Sequence, residues 1–216
     1  MKKIIITPNL FQAIFFDFDG VICEDTEVKT DAFIQLFKPF GDEIVKKVVK
    51  HHIEHGGISR YKKIKYYYNE YLKKPISDKE VDDIAQKYSD LVVNKVIISD
   101  FVKGVEEFLE KYYKKMNFYI ISGTPQKELE LVVQRKHIGK YFKGVFGTPI
   151  TKPDHIKSII SKYSYDREKV LYIGDSLSDY RGAKEAEVKF LGRVQEGVES
   201  LFPRDTPVIN DFSDLL

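Results

Sequence analysis

Ala13-Ile14-Phe15-Phe16-Asp17-Phe18-Asp19-Gly20-Val21 is the stretch on which the reading of this chain turns. Its first four residues are continuously apolar rather than alternating, which predicts a short strand covered on both faces over Ala13–Phe16. Two carboxylates two positions apart then leave that strand on the same side. Asp-Gly is also a turn former, so on its own the stretch reads equally as an ordinary acidic turn. If the strand belongs to a parallel sheet, its carboxyl end is instead where a ligand binds.

Outward from this stretch, similar apolar runs occupy residues 118–121, 170–173 and 188–191. Helical patterns lie between most of them: Val105, Phe108, Leu109 and Tyr112 share one face, as do Leu129, Val132 and Val133. Alternating strand and helix predicts an α/β fold with a parallel sheet and right-handed crossovers. Residues 26–99 break the rhythm. They contain no convincing core strand and predict helices over 30–37, 42–55, 60–72 and 78–93, separated by stops at Gly56-Gly57 and Lys74-Pro75. An insert of that length is too long for a loop inside a compact domain. The expectation is a helical domain at 26–98 set into a discontinuous core of 1–25 and 99–216.

Composition narrows the function classes. The chain has 216 residues, 43% hydrophobic and 31% charged, within the soluble globular range. Its 35 basic and 33 acidic side chains leave +2, no whole-chain case for a nucleic-acid binder. One cysteine, Cys23, excludes an internal disulfide framework and a multi-cysteine zinc site. No apolar run approaches the ~20 residues of a membrane span. The run Met1-Lys2-Lys3-Ile4-Ile5-Ile6 imitates the start of a signal peptide, but Thr7-Pro8-Asn9 ends it early. The expectation is a soluble, cytoplasmic protein with no membrane or nucleic-acid partner.

Three further segments carry chemistry. Val170-Leu171-Tyr172-Ile173-Gly174-Asp175-Ser176-Leu177-Ser178-Asp179 is again an apolar run ending in a carboxylate, with another four residues on. Clustered carboxylates repel unless a cation neutralises them, and hard oxygen donors suit Mg²⁺; the plainer reading of Asp175 is a helix N-cap. Phe118-Tyr119-Ile120-Ile121 runs into Ser122-Gly123-Thr124-Pro125, a hydroxyl with backbone N–H groups that forms either a small anion cradle or a capped turn. Lys152 follows in Thr151-Lys152-Pro153-Asp154.

In this order, Asp-x-Asp-Gly-Val, Ser-Gly after a strand, Lys-Pro and Gly-Asp-Ser-x-x-x-Asp resemble the motifs of the haloacid dehalogenase-like hydrolase superfamily, in the subgroup with a helical cap inserted after the first motif. The resemblance spans nearly the whole chain. It implies a Rossmann-like core, a mobile four-helix cap and Mg²⁺-dependent phosphoryl transfer. Asp17 would be the nucleophile and Asp19 the general acid and base. Asp17, the Asp19 backbone carbonyl, Asp175 and Asp179 would hold Mg²⁺, the last directly or through water. Ser122 and Gly123 would grip the phosphoryl oxygens, and Lys152 would stabilise charge on the nucleophile and the transferring group. An acid at Asp19 favours a phosphatase over a dehalogenase within the resemblance. Residues 23–26, Cys-Glu-Asp-Thr, depart from the usual Asp-Gly-x-x-x-Asp-Ser, which leaves Glu24 and Asp25 without an assigned part.

Within the helical insert, Gly57-Ile58-Ser59-Arg60 resembles a string in the cap of β-phosphoglucomutases, where the arginine contacts phosphate; Arg60 is thereby a candidate substrate contact, or a solvated residue behind a Ser59 cap. Lys29 reads as a contact for substrate anions or, more plainly, as a solvated lysine. His51, His52 and His55 crowd a helix C-terminus before Gly56-Gly57. His51 and His55 have a zinc-like i, i+4 spacing, a substrate contact is a further reading, and imidazoles at a helix C-terminus also suit its dipole. The tyrosines from 61 to 71 read as insert core and rim, and Cys23 as a half-buried inert thiol. The insert carries 14 basic and 11 acidic side chains, a net +3, over a core of −1. The function expected is Mg²⁺-dependent hydrolysis of a small phosphorylated metabolite, with a sugar-phosphate mutase or a non-catalytic phospholigand-binding protein as alternatives.

Overall fold

The computed structural model describes residues 6–216. The amino-terminal apolar run that imitates a signal peptide but ends too early therefore falls mostly outside the described residues. Six strands form one sheet: β1 (Ala13–Phe16), β2 (Asn117–Pro125), β3 (Gly144–Thr148), β4 (Val170–Gly174), β5 (Lys189–Arg193) and β6 (Val208–Ile209). Their order is β3-β2-β1-β4-β5-β6, and every neighbouring pair is parallel. Phe16 lies opposite Ile120 on one side and Ile173 on the other, so β1 is central and the segments after β1, β2 and β4 emerge side by side. The chain winds one way from β1 through β2 to β3 and the other way from β4. The β1/β4 boundary is thus the topological switch point, where open α/β sheets bind ligands.

Burial explains the unalternating apolar runs. Ile14 and Phe16 pack on one face with Phe118, Ile120, Phe108 and Leu129, while Ala13 and Phe15 face Tyr119, Tyr172, Ile156 and Ala183 on the other. The covering helices are α5 (Val105–Tyr112), α6 (Gln126–Arg135), α7 (Lys152–Tyr163) and α8 (Leu177–Glu185). With helices on both faces, a central strand has no wet side and needs no polar alternation.

Four helices precede α5 in chain order, between β1 and β2: α1 (Thr26–Phe37), α2 (Asp42–Glu54), α3 (Arg60–Tyr66) and α4 (Asp78–Ile98). They enclose an aromatic centre in which Phe33 packs on Tyr67 and Tyr88, and Phe37 on Tyr67. Tyr67 is fully buried, while Tyr61 and Tyr66 lie at the exposed rim. Ser77 begins α4 with a capping box, exchanging bonds with Glu80. That helix runs five residues past the expected end at 93, because Lys136 from the core donates to the carbonyls of Val96, Ile97 and Ser99 that would otherwise be orphaned. The expected helix 60–72 is α3 followed by one π-helical turn, Tyr67–Leu72, closed by Lys73 in the left-handed region.

Two strands fall outside the sequence expectations. β3 holds two glycines and is mostly half-buried, and β6 is two residues long. Both are sheet edges, where the apolar signal is weakest. Among the described residues, no helix is long and apolar enough to cross a membrane.

Candidate active site

The ends of β1, β2 and β4 bring the singled-out core residues together. Asp17 follows β1, its N–H donating to the Ile173 carbonyl of β4 at 2.9 Å. Its Oδ2 lies 2.9 Å from Lys152 Nζ, at the first turn of α7. Lys152 donates onward to Asp179 Oδ1 at 2.5 Å, which also accepts from the Tyr172 hydroxyl at 3.0 Å. The other Asp179 oxygen closes a capping box with Ser176 at the start of α8, so Ser176 and not Asp175 is the N-cap. Asp175 is left free to face the loop after β1. Gly20 is required there: its φ is +69°, and a Cβ would lie 2.1 Å from Asp175 Oδ2.

Asp17, Asp175 and Asp179 each place one oxygen within 4.8 Å of the others. Burial, and then repulsion from Asp179, pushes the Asp17 carboxyl well above the ordinary range despite the lowering pull of Lys152. Burial and Asp179 likewise push Asp175 up to about 7. Three carboxylates with one shared ammonium carry uncompensated negative charge, and oxygen-only donors in this packing fit a hard divalent cation such as Mg²⁺.

Asp19 points to the second motif. Its Oδ2 accepts from Ser122 Oγ at 3.2 Å and Thr124 Oγ1 at 3.1 Å, and it is ion-paired with Lys29. Burial raises the Asp19 carboxyl, but the Lys29 charge together with hydrogen bonds involving Asp25, Lys29 and Thr124 outweighs it and holds the group well below the usual range. Lys29 is therefore not the solvated side chain expected; it keeps 14% side-chain exposure and also donates to Thr124 Oγ1 at 3.3 Å. The sequence offered Lys29 only as a substrate-anion contact or a solvated residue and gave Thr124 no part of its own; their pairing with Asp19 emerges only in the fold. Of the two unassigned acids, Asp25 is fully buried and accepts from the Gly20 N–H, whereas Glu24 pairs with Arg193, which also donates to the Gly20 carbonyl. Both brace the loop carrying Asp17 and Asp19. Cys23 is fully rather than half buried, and burial pushes its thiol pKa upward.

The helical insert closes the top. Gly57, at φ +71°, comes so close that a Cβ would lie 2.2 Å from Ser178 Oγ and 3.2 Å from Lys152 Nζ. Three residues on, Arg60 is buried. Its guanidinium forms a two-pronged pair with Glu128 of α6 (2.9 and 2.5 Å), donates to Ser89 and lies 4.4 Å over the Tyr88 ring. His51 and His55 stack at 3.9 Å between ring centroids, with His51 Nδ1 against the Tyr67 hydroxyl. Between insert and core lies a cavity of about 230 Å³, lined among others by Asp17, Asp19, Lys29, Arg60, Lys63 and Asp175.

The sequence pattern of haloacid dehalogenase-like hydrolases matches residues 14–193, which include every one of these groups. The chain belongs to the haloacid dehalogenase-like hydrolase family. No curated protein matches it significantly by sequence. Among solved structures, it is similar to β-phosphoglucomutase from Clostridium difficile, with a TM-score of 0.77 at 18% identity over 95% of this chain and 93% of that one. A predicted phosphoglycolate phosphatase from Haemophilus somnus superposes with a TM-score of 0.72 at 18% identity, over 97% of both chains. CbbY from Rhodobacter sphaeroides, in complex with xylulose-(1,5)bisphosphate, gives 0.71 at 16% identity over 94% and 95%. These similarities establish that the chain has the haloacid dehalogenase-like fold, with a parallel sheet and an inserted helical cap.

Proposed function

We propose that the protein is a Mg²⁺-dependent phosphomonoesterase of a small phosphorylated metabolite, with residues 26–98 acting as a cap over the core of 1–25 and 99–216. The observation that carries this reading is Asp17 at the β1/β4 switch point, 2.9 Å from Lys152 and clustered with Asp175 and Asp179. A nucleophilic carboxylate needs a neighbouring cation to lower repulsion from an incoming phosphate, and Lys152 stands against it.

Asp17 attacks phosphorus, the bond to the leaving oxygen breaks, and an aspartyl-phosphate forms. Asp19 supplies the proton to the departing alkoxide once Lys29 has left it for the substrate and its carboxyl is no longer held low, and later takes one from the hydrolytic water. Ser122 and Gly123, at the end of β2, donate to phosphoryl oxygens. Asp17, the Asp19 carbonyl and Asp175 would hold Mg²⁺, with Asp179 completing the acidic cluster and orienting Lys152. When bound, the cation offsets repulsion between the carboxylates and the phosphate. Arg60 lines the cavity, and its pairing with Glu128 makes it a clasp between cap and core, so any contact of Arg60 with substrate is made beside that ion pair. The cavity is smaller than drug-sized sites, in keeping with a small metabolite.

Purified protein with Mg²⁺ is expected to release inorganic phosphate from a chromogenic phosphomonoester and to lose that activity on chelation. Supplying a hexose 1-phosphate separates the mutase alternative: free phosphate supports the hydrolase, an isomeric hexose phosphate the mutase. Turnover that survives chelation contradicts the metal-dependent reading.

A further inference from the structure

Arg60, Lys63, Lys152 and Arg193 are the buried lysines and arginines among the described residues. Lys152 has Asp17 and Asp179, Arg60 has Glu128, and Arg193 has Glu24. Lys29, only slightly more exposed, has Asp19 and Asp25. Lys63 is 2% exposed and, among the described residues, has no carboxylate within ion-pair distance. Its Nζ lies 2.8 Å from His52 Nδ1 and 3.2 Å from the His52 carbonyl oxygen, two neutral acceptors that can engage two of its three N–H bonds. Lys63 and His52 both line the cavity whose floor is Asp17 and Asp175.

An ammonium taken out of water without a counter-charge is costly, and such groups are usually paired. Burial and the nearby Lys29 bring the Lys63 pKa down to about 7, and Asp175 is the acid that opposes the fall. The charged or titratable groups around it are thus His51, His52, Lys29 and Asp175. The other cations lining the cavity are already neutralised by protein carboxylates. A negative group entering with the substrate, away from the phosphoryl end, would find Lys63 as its unpaired partner.

We propose that Lys63, positioned by His52, binds a second anionic group on the leaving-group side of the substrate, so that the protein selects phosphate esters of anionic small molecules over neutral ones. The shared chemistry is a carboxylate or a second phosphate. This inference rests on the phosphatase reading for its reaction, but the binding site stands on the cavity itself.

The test compares three esters on the same two-carbon frame: the phosphate esters of glycolate and of ethylene glycol, and ethylene glycol bisphosphate. In wild-type protein with Mg²⁺, one anionic ester is expected to exceed the neutral ester in kcat/KM by about tenfold or more. Whichever it is identifies the second group as carboxylate or phosphate. In Lys63→Met that ratio falls to near one, and Lys63→Arg keeps part of it. Circular dichroism verifies that both variants fold. Wild-type selectivity near one, or a ratio unchanged in Lys63→Met, overturns the proposal while leaving a phosphatase. If no ester turns over, the phosphatase reading fails, and calorimetric binding of the same esters to wild-type and Lys63→Met protein still decides the site. There, an anion preference lost in the variant supports it, and equal affinities overturn it.

Discussion

Asp17 and Lys63 carry opposite charges, and burial works against both of them. The charged Asp17 carboxylate is disfavoured by burial and by Asp179, so Asp17→Asn removes a repelling member of the acidic cluster. The expected result is loss of turnover together with a gain of about 1 kcal/mol in stability, read from the urea midpoint. Lys63 makes a pH-dependent prediction. Its folded pKa is about 7 against an ordinary 10.5, so between these values the unfolded chain holds a proton that the folded chain has released. Stability from this group therefore rises with pH across roughly 7 to 10.5 and is lowest below 7. Lys63→Met is expected to be more stable than wild type by about 1 kcal/mol at pH 7, with the gap closing toward pH 10. A gap that widens with pH would contradict the unpaired state of this lysine. Lys63 did not stand out in a sequence with many lysines, and Lys29 stood out only as a substrate-anion contact or a solvated residue. What distinguishes them is a spatial partner, Asp19 for one and no acid for the other.

At the scale of elements, legibility followed burial. β1 was predicted at its observed bounds because all four residues are buried, and its exit geometry put Asp17 and Asp19 at the site. β3 escaped because Gly144 and Gly147 dilute its apolar signal. The α3 terminus is the instructive case. Gly-x-Ser-Arg marked the loop that enters the site, but Arg60 meets Glu128, 68 residues away on α6, and no local pattern encodes that pair. Removing one member of a buried pair leaves the other uncompensated. Glu128→Ala is expected to cost about 3 kcal/mol in urea unfolding, and the Arg60→Met/Glu128→Leu double variant to recover much of it. Gly57, in the same loop, has room for neither a Cβ nor an L-residue's usual backbone. Gly57→Ala is expected to lower kcat/KM about tenfold or more by displacing the loop from Lys152, while the core remains folded. Unchanged kinetics would show that this loop does not close on the site.

Across the whole molecule, a sheet that reverses its winding at β1/β4 gathers strand ends separated by more than a hundred residues, and the inserted helices roof them. The charges follow the same division. A +3 insert faces a −1 core whose acids converge at one point. Motif order made the acidic floor legible before any coordinates; the roof was not, because its chemistry lies in which cations are already paired. The central claim is that Asp17 becomes phosphorylated during turnover. Rapid acid quenching of the protein at work on a phosphomonoester with Mg²⁺, followed by peptide mass spectrometry, tests it most directly. A phosphoryl adduct is expected on Asp17 in wild type, absent after chelation and absent together with turnover in Asp17→Asn. Sustained turnover in Asp17→Asn, or an adduct on a different residue, would contradict it.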